Sequence, residues 1–158
     1  MGIFTMRDIF DVAVKIEEKG EAFYRQTASV ISDTTVQQLF HRLADEEVGH
    51  KQVFLKLSAQ IGTVKLTPVA RKDFLAYLEA YTQNLIFDDT GSDPELVKVK
   101  DLLTAVNFAI SKEQGSIYYY KEIKELVPIS EHALLDNIIE EERRHALKLI
   151  QFKLARVK

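Results

Sequence analysis

Six glycines and three prolines are all that interrupt 158 residues, and they fall between long stretches whose apolar side chains recur every three or four positions. That spacing is the period of an α-helix, so the chain reads as almost wholly helical. A first helix starts after Thr5, where Asp8 can complete a capping arrangement, and covers about 6–31. A second opens at Asp33 or Thr34 and covers 34–61, with Gly62 as its cap. Two long helices joined so tightly must lie antiparallel. Thr67-Pro68 opens a shorter crossover helix over 68–87. A third long helix, 94–127, starts at Asp93-Pro94 and stops at Pro128, and a fourth covers 130–156. The expected fold is an all-α four-helix bundle of two antiparallel pairs with a helical crossover, in one domain over 1–158.

A hydrophobic content of 46% suits a packed core in a chain of this length. Twenty-one basic against 24 acidic residues, a net charge of −3, leave no basic block to bind nucleic acid. No apolar run approaches the ~18 residues of a membrane span. The opening MGIFTMRDIFDVAVK meets charge too early for a signal-peptide core, so a cytoplasmic protein is expected. Cysteine is absent, which removes disulfides, thiolate metal sites and cysteine nucleophiles. A metal site in this chain must use carboxylate and imidazole.

The two helix pairs form a weak internal repeat. AVKIEEKGEAFY at Ala13–Tyr24 returns 96 residues later as AISKEQGSIYYY, sharing Ala, Glu and Tyr at its first, fifth and last places. EEVGH at Glu46–His50 returns 95 residues later as EERRH. Near-equal offsets point to duplication and to comparable positions about a pseudo-twofold axis.

Glu and His three apart on a helix can face one cation, but chance alone would supply roughly 0.35 such pairs here. Their place on the apolar stripes says more. Glu47 and His50 interrupt the seam Leu43, Phe54, Leu57, and Glu142 and His145 interrupt Leu135, Ile138, Leu149. Glu17 lies in the stripe Phe10, Ala13, Gly20, Tyr24, and Glu113 lies between Val106, Ile110, Ile117 and Tyr120. Each long helix thus aims one carboxylate at the core. Burying four unpaired carboxylates costs several kcal/mol each, or forces them to protonate. Two divalent cations balance four glutamates and two neutral histidines. A Glu from two helices and Glu-x-x-His from two others is a ligand set for di-iron and di-manganese bundles, and zinc can compete by affinity. The competing reading is surface glutamates matched by chance.

Ala13, Glu17, Gly20, Phe23 and Tyr24, their echo on the third helix, and the two E-E-x-x-H motifs resemble the rubrerythrin branch of the ferritin-like superfamily. The resemblance implies a ferritin-like bundle with two iron ions. It makes Glu17 and Glu113 terminal ligands, Glu47 and Glu142 bridges, and His50 and His145 caps. Rubrerythrins proper carry a further glutamate three residues after the third-helix ligand; that place is Ser116 here, matched by Gly20 on the first helix, so a more symmetric site is implied. A rubredoxin domain, with its cysteine-bound iron, is missing, so a separate donor protein would deliver electrons.

Metal-bound histidines usually donate their other N–H to a carboxylate. Glu46 is expected to support His145 and Glu141 to support His50, the alternative being exposed helical carboxylates. Tyr24 and Tyr120 return to the glutamate face two turns on, to hydrogen-bond ligand carboxylates, supply electrons or simply pack. His41 and His132 read as surface residues, Tyr118 and Tyr119 as packing or interface, and Phe74, Tyr77, Tyr81 and Phe87 as core or dimer contact.

The expected activity is reduction of hydrogen peroxide, or oxygen, at metals held about 3.5–4 Å apart. Alternatives are a ferroxidase or iron-handling protein of ferritin type, oxygenase or manganese chemistry, and a non-catalytic metal-stabilised bundle. With 13 residues after His145 and a helical crossover, a homodimer is expected over a cage.

Overall fold

The computed structural model describes residues 5–63, 76–77, 80 and 102–157. Four long helices carry them: α1 Met6–Val30, α2 Thr34–Ile61, α3 Leu102–Lys124 and α4 His132–Arg156. Of the expected crossover, Ala76, Tyr77 and Ala80 are described and helical; Phe74, Tyr81, Phe87 and residues 94–101 lie outside the described residues.

Local chemistry sets the ends. The Asp8 carboxylate accepts the Thr5 backbone N–H at 2.7 Å, closing the start of α1. Asp33 accepts the N–H groups of Thr35 and Val36 at 2.9 and 3.2 Å, satisfying donors that the first turn of α2 cannot pair internally. Gly62 caps α2 at an ordinary helical φ of −62°, so the left-handed freedom of glycine is not used there. Two boundaries differ from expectation. The third helix ends at Lys124 rather than near 127, because Leu126 and Val127 bond back three residues, to the carbonyls of Ile123 and Lys124. The fourth begins at His132 rather than Ser130. Pro128 accepts the Glu131 N–H, which makes Ile129–Glu131 a 3₁₀ turn.

The Arg7 N–H donates to the Gly62 carbonyl at 3.1 Å, joining the start of α1 to the end of α2. Lys124 pairs with Asp136 at 2.6 Å, joining the end of α3 to the start of α4. Both pairs are therefore antiparallel. Between the pairs, the Tyr119 hydroxyl donates to the Ile9 carbonyl at 3.0 Å, and Arg156 reaches Asp33 at 2.9 Å. The resulting four-helix bundle buries two separate apolar clusters. One packs Met6, Ile9 and Phe10 with Phe54, Leu57, Tyr119, Ile123 and Leu135. The other packs Phe23 and Ala28 with Val36, Phe40, Leu43, Val106 and Leu149. Between them lies a layer of buried charge. Among the described residues, no helix is long and apolar enough to cross a membrane.

Candidate metal centre

Glu17, Glu47, His50, Glu113, Glu142 and His145 are each at most 4% exposed, and together they form the layer between the apolar clusters. They fall into two groups: Glu17, Glu47, His50 and Glu142, and Glu47, Glu113, Glu142 and His145. Glu47 and Glu142 belong to both. Glu142 turns Oε1 to His50 Nδ1 at 3.4 Å and Oε2 to His145 Nδ1 at 3.1 Å. Glu47 turns Oε2 to His50 Nδ1 at 3.8 Å and Oε1 to His145 Nδ1 at 3.4 Å. Glu17 lies 3.5 Å from His50 Nδ1, and Glu113 3.5 Å from His145 Nδ1. The imidazole rings stack with centroids 5.6 Å apart.

The outward ring nitrogens are held. His50 Nε2 donates to Glu141 at 2.7 Å, and His145 Nε2 donates to Glu46. Each contact crosses between α2 and α4, which fixes both rings with Nδ1 inward. Glu46 and Glu141 are half-exposed, so their own charge remains solvated while their oxygens reach a buried ring. Lys148 lies 3.4 Å from the other oxygen of Glu46, a neighbour the sequence reading did not single out. The tyrosines act across the bundle. Tyr24 on α1 donates to Glu113 on α3, and Tyr120 on α3 donates to Glu17 on α1.

His41 is exposed. His132 is half-buried, its ring nitrogen 2.9 Å from the Val127 carbonyl. Tyr118 is exposed and meets the Tyr77 hydroxyl at 2.6 Å, whereas Tyr119 is buried. None of these enters the layer.

Electrostatics show what the layer demands. Burial, then the charges of Glu142 and Glu47, holds Glu17 well above the usual carboxylate range. Burial and Glu142 do the same to Glu113. Burial opposes charge on Glu47 as well, but the facing side chains of Glu17, His145 and His50 bring its pKa down to about 2. Burial and Glu47 act upward on Glu142, and the facing imidazoles of His145 and His50, at 3.1 and 3.4 Å, outweigh them, leaving it lowered. On the histidines burial disfavours the cation, yet the facing carboxylates win: His145 is pushed up to about 12, and His50 is raised too. Tyr24 and Tyr120 are raised by burial and by the carboxylates they bond, so both remain neutral donors.

Protons and cations thus compete for the same atoms. Six buried side-chain atoms lack a hydrogen-bond partner among the described residues, and five are Glu17 Oε2, His50 Nδ1, both oxygens of Glu142 and His145 Nδ1. Unpaired buried polar atoms are costly. Converging as they do, they fit metal ions. Donor atoms within each group lie within 4.8 Å of one another, and a cation about 2.1 Å from each ligand spans donors up to about 4.2 Å apart, so each group need contract only slightly.

The rubrerythrin family model matches residues 8–153. A solved structure from Thermotoga maritima, described as a candidate ferritin-like di-iron-carboxylate protein, is 30% identical, with 97% of each chain covered and a TM-score of 0.71. No curated protein matches the chain. With the match spanning all four helices and the Glu/His layer, the chain belongs to the rubrerythrin family and has the ferritin-like fold.

Proposed function

We propose that this protein holds two iron ions in the polar layer and uses them to reduce hydrogen peroxide, or oxygen, with electrons from a separate donor protein. The observation that carries the reading is the pair of four-residue groups sharing Glu47 and Glu142, whose unpaired atoms face inward. In this reading Glu17 and His50 serve one ion, Glu113 and His145 the other, and Glu47 and Glu142 both. Four carboxylates and two neutral imidazoles balance two divalent cations. Family membership, and the di-iron description of the Thermotoga maritima protein, favour iron, while manganese and zinc accept the same donors.

Bound iron would supply the electrons that an oxidant needs. The chain's own residues do the rest. Glu141 and Glu46 orient His50 and His145 and keep their Nδ1 lone pairs aimed at the layer. Tyr120 and Tyr24 steady Glu17 and Glu113 from the opposite helices. The apolar clusters on either side exclude water and stiffen the helices that carry the ligands. A cytoplasmic homodimer belongs to the same reading. Protein expressed with ample iron, then reduced and mixed with peroxide, tests it: about two irons per chain and rapid oxidation support the reading. A single zinc and no redox response would sink it.

A further inference from the structure

The internal repeat breaks down beside the two histidines. Each ring donates its outward N–H to the carboxylate that precedes the shared glutamate of the other helix, His50 to Glu141 and His145 to Glu46. One turn beyond His145 on α4, the Lys148 ammonium lies 3.4 Å from Oε1 of Glu46, the oxygen that does not meet the ring. The matching place on α2, 95 residues earlier, holds Val53, which is partly buried against the apolar cluster of Met6, Phe54 and Leu57. Among the described residues Glu141 pairs with no lysine or arginine, Arg144 one turn along its own helix included. The two supporting carboxylates are alike in exposure, 42% for Glu46 and 44% for Glu141, so solvent screens them alike. His50 therefore faces a carboxylate whose charge is otherwise uncompensated, and His145 faces one shared with a cation.

We infer that Lys148 makes the two metal positions unequal, so that the first divalent cation goes to the Glu17–His50 side and the Glu113–His145 side fills second. The inference rests on the two-metal reading. A carboxylate that accepts the outward N–H of an imidazole lends the ring negative charge and strengthens its inward nitrogen as a donor. Lys148 draws on that same carboxylate, and its own positive charge opposes a cation on that side. Both effects weaken the His145 side. Lys148 and Glu46 are nearly half-exposed, so the preference should be about two- to fivefold, the scale an exposed ion pair can transmit. Lys148 is thus a positioning residue that acts through Glu46 and is not itself a ligand.

Anomalous diffraction from crystals grown with about one cobalt(II) per chain reads the two positions separately. The parent should show roughly two- to fivefold higher occupancy beside His50 than beside His145. Lys148→Met keeps the aliphatic stem and removes the charge, so it should bring the two occupancies toward equality, and Lys148→Arg should retain the parental ratio. Lys124→Met is the control for loss of a lysine as such, because Lys124 pairs with Asp136 at the end of the bundle. It should leave the ratio as in the parent. Equal occupancies in the parent, a higher occupancy beside His145, or a parental ratio in Lys148→Met would overturn the inference, while two occupied positions leave the two-metal reading standing. Cobalt at neither position would remove that reading and the inference with it.

Discussion

Oε2 of Glu141 on α4 lies 2.7 Å from Nε2 of His50 on α2. A half-exposed carboxylate thereby fixes the tautomer and direction of a buried ring, and Glu46 does the same for His145 from the other side.

Glu141→Gln keeps an acceptor oxygen for His50 but removes the charge, and Glu141→Ala removes both. Loss of such an orienting partner typically costs 10–100-fold in metal affinity, so the expected loss in Glu141→Ala is about tenfold or more. Gln should fall between. Competition with a chromogenic chelator measures it, and parental affinity in Glu141→Ala would show that the contact does not orient a ligand.

Tyr24→Phe and Tyr120→Phe delete the hydroxyls that bond Glu113 and Glu17 without opening a large cavity. Hydrogen bonds to charged groups contribute about 1.5–3 kcal/mol, so each variant should bind metal roughly tenfold more weakly. Isothermal titration reads this. If the rings only pack, both variants bind as the parent does.

The buried histidines carry protons that a metal must displace, since His145 is held up to about 12 and His50 is raised as well. In the proposed site the ligand is neutral imidazole, so raising pH favours metal and lowering it favours protons. Loading at pH 7 should release at least two protons per chain, seen as a binding heat that changes with the ionisation enthalpy of the buffer. A heat independent of buffer would contradict the arrangement.

Metal removal should lower the melting temperature, because cations that bind only the folded bundle stabilise it by about 2.7 kcal/mol at a hundredfold excess over Kd. Leu57→Ala, in one apolar cluster, should cost about 2–5 kcal/mol with or without metal, as its cavity lies in the hydrocarbon layer. Calorimetry in the presence and absence of chelator separates the two contributions.

Much of this was legible in the residues. Stripe positions put Glu17, Glu47, Glu113 and Glu142 on buried faces because a charged residue in an apolar seam has few other places to go, and all four lie at the core. That Tyr24 and Tyr120 could hydrogen-bond ligand carboxylates was readable from their spacing, but which glutamate each meets was not. Tyr24 lies seven residues from Glu17, about 10.5 Å along the axis, too far for its own helix to bring them together. It meets Glu113 on α3 instead. Nor did spacing show that α4 starts at His132, since the helical pattern reads back to Ser130 and the Pro128 carbonyl, engaged by Glu131, diverts the chain into a 3₁₀ turn. The contrast of Gly20 with Ser116 is visible in sequence, but that Glu47 packs against Gly20 is not.

Anomalous diffraction from crystals of iron-loaded protein tests the central claim most directly. Two iron peaks per chain are expected, one ringed by Glu17, Glu47, His50 and Glu142 and the other by Glu47, Glu113, Glu142 and His145. A single peak, or iron bound away from these six residues, would contradict it.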